Sequence, residues 1–233
     1  MTRLYLFAEG QTEQTFANIV LAPHLANHGV YLQPAVLIAH ARKRGRVHRG
    51  GGRNYQVMKK DICNFLKQEK SVDVYFTTML DLYALAPEFP NLTESEKLRH
   101  LPIERVAFLE VAFAADVADR RFIPYLQLHE YEAYLFSEPK WFAFYYETHE
   151  KQIAELIAIC DQYESPEFIN DGPHTAPSKR IIELFPDYDD AKPAQGSGIA
   201  ELIGLNAIRQ KCHHFSEWVS RLEALGNVDS IND

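Results

Sequence analysis

The sequence predicts an α/β fold, a mostly parallel sheet flanked by helices, with a helical C-terminal extension. Three observations carry this. Short apolar runs alternate with helix-period segments through residue 137, the pattern of strands joined by crossover helices. The first of these runs is apolar throughout, as strands buried on both faces are. The chain has 233 residues, long for one domain and short for two, which suits one α/β core with an appendage. The expected division is a core over 1–137 and a mainly helical extension over 138–233 packed on it.

The elements follow in order. Residues 3–8 read as a buried strand, and Thr12 can cap the helix that comes next. That helix sends Phe16, Ile19, Val20 and Leu21 toward a core, and Pro23 kinks or ends it. Residues 30–38 form a second strand, which Pro34 pushes toward a sheet edge. A basic, glycine-rich loop precedes a helix over 54–68. Residues 72–80 (VDVYFTTML) are β-branched and aromatic, the composition of a strand. A proline-punctuated loop leads to a helix over 103–117, with Pro102 just before it. Residues 121–128 make another strand despite Pro124. Helical patterns then fall at 130–137, 139–146, 150–161, 178–185, 197–211 and 213–225, with a polar loop over 162–178 and another around Lys192 and 195–197.

Composition narrows the function classes. No apolar run approaches the roughly 20 residues of a membrane span. Glu9 interrupts the only apolar stretch near the start, so no signal-peptide pattern is present. Cys63, Cys160 and Cys212 lie far apart, which suits a reducing cytoplasm and supplies neither a disulfide framework nor a zinc knuckle. The P-loop pattern is absent, and the GGG run does not follow a strand. The net charge is −8, yet residues 42–53 (RKRGRVHRGGGR) hold six of the 24 Lys and Arg and no acid. An acidic body with one cationic loop is a layout for gripping phosphates through Arg42, Lys43, Arg44, Arg46, Arg49 and Arg53. The other reading is a solvated loop.

Three predicted strands end on acids: Glu9, Asp81, and Glu130 with Glu132 close by. Parallel strands bring their carboxyl ends to one edge, where ligands of open α/β sheets bind. Carboxylates that converge there repel, and a shared proton or a divalent cation compensates. Oxygen ligands select a hard ion, Mg²⁺ or Mn²⁺, which supports phosphodiester hydrolysis. Gly10 permits close backbone approach behind Glu9. Glu13 either lines the site or supports the helix start. Lys179 and Arg180, at a helix start, can stabilise phosphate charge or pair with acids such as Glu183. His129 is a general base, a metal ligand or a hydrogen-bonding structural residue. His213, His214 and Tyr55 read as structural.

At EGQTE, TTMLDLYALAPEFP and LHEYEAYLF the sequence resembles domain-of-unknown-function family 4276 of bacteria, and PSKRI (177–181) and residues 199–222 extend the likeness over most of the chain. That family looks like a divergent branch of the TOPRIM domains of topoisomerases, primases and overcoming-lysogenization-defect nucleases. The resemblance implies a TOPRIM-like (Rossmann-like) fold with Mg²⁺ held by Glu9 and Asp81. It also implies a companion ATPase in a bacterial defence-type module. The chain departs from the TOPRIM pattern at Tyr83, which stands where Asp-x-Asp has its second carboxylate. Glu130 or Glu132 can replace it in space, or the site holds one metal.

Two functions are therefore expected to compete. The first is a Mg²⁺-dependent nuclease-like phosphodiester hydrolase acting on DNA or RNA in the cytoplasm. Glu9, Asp81, Glu130 and Lys179 would be catalytic, and Gly10, Arg180 and the basic loop would contact substrate. The second is a non-catalytic TOPRIM-like partner subunit of an ATPase, or of a second copy of itself. Tyr83 favours the second.

Overall fold

The computed structural model describes residues 1–38, 54–169, 172 and 174–226, and the backbone of 41–43 and 46–48. The chain begins with β1 (Thr2–Ala8), α1 (Gln11–Phe16), a π-helical turn over Ala17–Leu21 and α2 (Ala22–Ala26). Of the two outcomes expected at Pro23, the helix does not end there; a wider π turn just before it carries the helix on to Ala26. There follow β2 (Val30–Leu32), β3 (Val36–Leu37), a hairpin of β4 (Ala41–Lys43) and β5 (Arg46–His48), α3 (Tyr55–Gln68) and β6 (Val74–Asp81). Next come α4 (Leu92–Ser95), α5 (Pro102–Val117), β7 (Phe122–Ile123) and β8 (Leu126–Gln127). Two 3-10 segments, Tyr131–Ser137 and Pro139–Phe144, lead to α6 (Glu150–Cys160), α7 (Pro177–Leu184), α8 (Tyr188–Ile203), α9 (Leu205–Lys211) and α10 (His213–Ala224).

The molecule is α/β, with a six-stranded sheet whose described pairings are all parallel. It is four strands wide. β1 and β6 lie in the middle, β2 and β3 share the edge beside β1, and β7 and β8 share the edge beside β6. Each edge is broken in two at a proline, Pro34 and Pro124, because a proline cannot donate to the ladder. At the Pro124 break, the hydroxyl of Thr78 on β6 donates to Tyr125 O and accepts from Tyr125 N–H, both at 2.9 Å. One side chain thus stands in for the missing strand pairing.

β1 passes to β2 through α1 and α2, whereas β3 passes through α3 to β6 on the other side of β1. The chain reverses direction between β1 and β6, so the switch point lies at Glu9 and Asp81. Side chains of β1 alternate accordingly. Leu4, Leu6 and Ala8 join a core with Phe16 and Leu25, and Phe7 joins the other core with Ile62 of α3 and Phe113 of α5.

The C-terminal helices pack on the first of these cores, which also contains Ile199, Ile208, Phe215, Trp218 and Leu222. One expectation fails here. Residues 192 and 195–197 lie inside α8, which starts at Tyr188 and runs through Pro193 to Ile203; Gly204, at φ 82°, then separates it from α9. An internal proline costs about 3 kcal/mol. Burial of Tyr188, Ile199 and Ile203, about 1.5–3 kcal/mol for each large apolar side chain, exceeds that. None of the described helices is long and apolar enough to cross a membrane.

Candidate metal centre at the strand ends

Glu9 follows β1 directly, and its N–H still bonds Met79 O at 3.1 Å. Gly10 is the N-cap of α1, in place of Thr12, and Glu13 Oε2 accepts its N–H at 2.8 Å. The backbone of Gly10 is extended, at φ −138°. A Cβ there would stand 3.0 Å from Glu13 Oε2, so that a larger residue would press on this carboxylate. The room that Gly10 leaves is taken by Glu13, which is buried.

Asp81, the last residue of β6, donates its N–H to Glu9 Oε2 at 3.0 Å. Its own Oδ1 accepts the N–H of Tyr131, just past Glu130, at 3.0 Å. Two carboxylates therefore tie three strand ends together. Glu130 is 1% exposed and accepts both the N–H and the hydroxyl of Ser178, the latter at 3.0 Å. Ser178 lies in the first turn of α7, where an anion is favoured by the unpaired N–H groups. The Tyr83 hydroxyl also bonds Glu130. His129, next to Glu130, sits in the left-handed region at φ 63°, a conformation that strains a non-glycine residue.

Electrostatics bind these acids into one cluster. Burial, then the charges of Glu9, Glu13, Glu130 and Glu132, hold the Asp81 carboxyl well above its ordinary range. Burial pushes Glu13 up to about 7, aided by Glu9 and Glu130. Burial and Glu130 push Glu132 up to about 8, against the opposing charge of Lys192. The Tyr83 hydroxyl is raised by burial and by the negative charge of Glu130 and Asp81. Tyr188 is fully buried in the same field, and its hydroxyl has no hydrogen-bond partner among the described residues. Gly196 lies over it, where a Cβ would come within 2.7 Å of that oxygen.

Oxygen donors in mutual repulsion beside an unsatisfied buried hydroxyl fit a hydrated hard cation such as Mg²⁺ or Mn²⁺. The carboxylates are coupled but not closed: among the described residues, only His24, His28 and Glu223 have donor atoms all within 4.8 Å of one another.

The structure thus brings Glu9, Asp81, Glu130 and Glu132 into one field and adds Glu13 to it. It does not bring in Arg180, whose guanidinium bonds Thr175 O at 2.8 Å and the Tyr163 hydroxyl at 3.0 Å. At the start of α7 it is Ser178 that bonds Glu130, and Lys179 is exposed one position further on. In the basic segment, Arg42 lies opposite Val47 and Lys43 opposite Arg46 in the β4–β5 hairpin, where a loop was expected. Arg44, Arg49 and Arg53 lie outside the described residues.

Ser178, Tyr188 and Gly196 were not legible as site residues. Each lies on a C-terminal helix far along the chain; the helix start at Pro177–Ser178 and the loop expected at 195–197, before a helix N-terminus able to bind an anion, pointed near Ser178 and Gly196, and nothing pointed to Tyr188. Tyr55 and His214 are structural as expected. Tyr55 packs edge-on to Phe89 and Phe113, and His214 bonds Glu110 at 3.1 Å.

No curated protein and no solved structure matches the chain. The family model described as a domain of unknown function, DUF4276, matches residues 8–223. That match spans β1 to α10, every strand end that carries one of the clustered acids included, and the chain belongs to the DUF4276 family.

Proposed function

We propose that this protein is a Mg²⁺- or Mn²⁺-dependent nuclease-like phosphodiester hydrolase on a TOPRIM-like fold. It would act in the cytoplasm within a bacterial defence-type module. The observation that carries the reading is the field at Asp81, where Glu9, Glu13, Glu130 and Glu132 all raise one half-buried carboxyl at the switch point of a parallel sheet. Glu9 and Asp81 are the primary metal residues of this proposal, with Glu132 and Glu130 beside them. A bound Mg²⁺ would neutralise charge on a phosphoryl group and activate water.

The protein's own residues have separable tasks in this reading. Backbone N–H groups of Asp81 and Tyr131 fix one oxygen each of Glu9 and Asp81. Ser178 orients Glu130, and the Tyr83 hydroxyl interacts with it. Lys179, exposed at the start of α7, is the cation free to approach a phosphate where Arg180 is committed to the preceding turn. The β4–β5 hairpin supplies Arg42, Lys43 and Arg46 as a cationic arm for the nucleic-acid backbone.

A second reading rests on Tyr83. It occupies the place of a second carboxylate and hydrogen-bonds Glu130, which is already held by Ser178. A site so internally satisfied fits a non-catalytic subunit that docks on an ATPase.

The test is cleavage of DNA and RNA by the purified protein in Mg²⁺ or Mn²⁺, alone and with any ATPase found encoded beside it. Metal-dependent cleavage that disappears in Glu9→Ala and Asp81→Ala, with folding retained, is the expected result. If nothing is cleaved and calorimetry detects no Mg²⁺ or Mn²⁺ binding, the hydrolase reading fails. Stable ATPase binding without cleavage favours the subunit.

A further inference from the structure

We propose that His24, His28 and Glu223 form a second metal site, for an ion of the Zn²⁺ class, clasping the C-terminal helix α10 to α2. His24 lies in α2, and Asn27, its helical C-cap, carries the turn on to His28. The four-residue spacing puts both imidazoles on one side, with ring centroids 4.9 Å apart. Glu223 reaches them from the far end of the sequence. One donor atom from each residue lies within 4.8 Å of the others.

The donor atoms point at a common place. His24 Nε2 is 2.5 Å and His28 Nε2 is 3.7 Å from the same oxygen, Glu223 Oε1. Zinc sits about 2.0–2.2 Å from imidazole nitrogen and carboxylate oxygen, so tetrahedral donors stand roughly 3.3 Å apart. The His28 separation is already near that value, and the His24 hydrogen bond would open to reach it. Side-chain exposures of 24% and 41% for the histidines, and 16% for Glu223, leave an ion a path in and the rings room to adjust.

Two imidazoles and one carboxylate are a ligand set for Zn²⁺, Co²⁺ or Ni²⁺, distinct from the all-oxygen cluster at the strand ends. Arg209 supports the carboxylate as an outer partner: Nη2 donates to Oε2 at 3.2 Å, and Nη1 reaches Oε1. That contact orients Glu223 as outer hydrogen bonds orient metal ligands generally. With three protein ligands the fourth position falls to water, so the ion exchanges with solvent. The site lies beside the junction of β1 with the end of α10, where the Thr2 hydroxyl bonds Leu225 O at 3.2 Å. A bound ion would fasten α10 onto the first core at its outer end.

The experiment titrates the full chain with Zn²⁺ alone and, in parallel, with Co²⁺. Expected are a Zn²⁺-dependent rise in Tm and Co²⁺ absorption bands of a low-coordinate nitrogen–oxygen site. Both should be weakened at least tenfold in His28→Ala and in His28→Gln, which keeps a hydrogen-bonding side chain beside Glu223. Circular dichroism and the metal-free Tm establish that the variants fold. Saturating Mg²⁺, which carboxylate oxygens hold and imidazoles do not, should leave the Co²⁺ bands unchanged, which separates this site from the strand-end acids. No Zn²⁺ binding, or binding unaltered in both His28 variants, would overturn the proposal and leave the three residues as a hydrogen-bonded clasp.

Discussion

At the scale of single residues, the acids at the strand ends make stability depend on pH in a definite sense. Glu13 and Glu132 ionise near 4.5 when unfolded, and in the folded chain they are raised to about 7 and about 8. A carboxyl with a raised pKa stabilises the fold fully below its unfolded value and loses that contribution as pH climbs through the folded one. The metal-free protein should therefore lose stability steadily between about pH 4.5 and 8, each unit per ionising carboxyl being worth on the order of 1.4 kcal/mol. Mg²⁺ should reverse the loss, most strongly at pH 8; a Tm profile in chelator and in Mg²⁺ checks both. Asp81→Asn keeps the Oδ1 acceptor for Tyr131 and removes a repelling charge. It should raise the metal-free Tm at pH 8 and abolish the Mg²⁺ effect; a lower metal-free Tm would count against mutual repulsion at this site. Glu9, Asp81 and Glu130 were legible because a strand that stops on an acid is a local pattern. For Glu13 the sequence left two readings open, because its burial depends on Gly10 and on the packing around α1.

At the scale of elements, the prolines explain both what was readable and what was not. Pro34 marked an edge strand in advance, whereas residues 121–128 read as a strand despite Pro124; both edges are broken at their prolines. Nothing local showed that Thr78, on the central strand β6, would complete the broken pairing at Tyr125. Thr78→Val keeps the shape and removes the hydroxyl, leaving a buried N–H and C=O of Tyr125 without it. It should cost about 1–3 kcal/mol in urea denaturation, and Thr78→Ser should recover most of that. α8 misled for the opposite reason. Lys192 and 195–197 read as a loop, yet Gly196 and Gly198 leave room for Tyr131 and Tyr145 against the helix and for Tyr188 of its own first turn. The hairpin of β4 and β5 was likewise hidden by its run of charges. Replacing Arg42, Lys43, Arg44 and Arg46 with serine should weaken nucleic-acid binding and flatten its dependence on salt by up to about four counterions. Binding that does not change would make the hairpin a solvated arm.

At the scale of the whole molecule, the parallel sheet was legible from alternation and apolar runs, since both are one-dimensional signals. The manner in which the C-terminal helices finish the site was not. α7 brings Ser178 to Glu130, and α8 brings Tyr188 and Gly196 beneath the same acids, although these helices follow β8 by some fifty residues or more. The helical extension thus does two things: it closes one face of the sheet and completes the surroundings of the strand-end carboxylates. Loss of packing in α7 or α8 should be felt at the metal centre before the sheet itself gives way. The most direct measurement is the anomalous scattering of crystals grown in saturating Mn²⁺. A peak among Glu9, Asp81 and Glu132, absent in Asp81→Asn crystals, is expected; no peak at the strand ends in the parent protein would contradict a divalent-cation centre there.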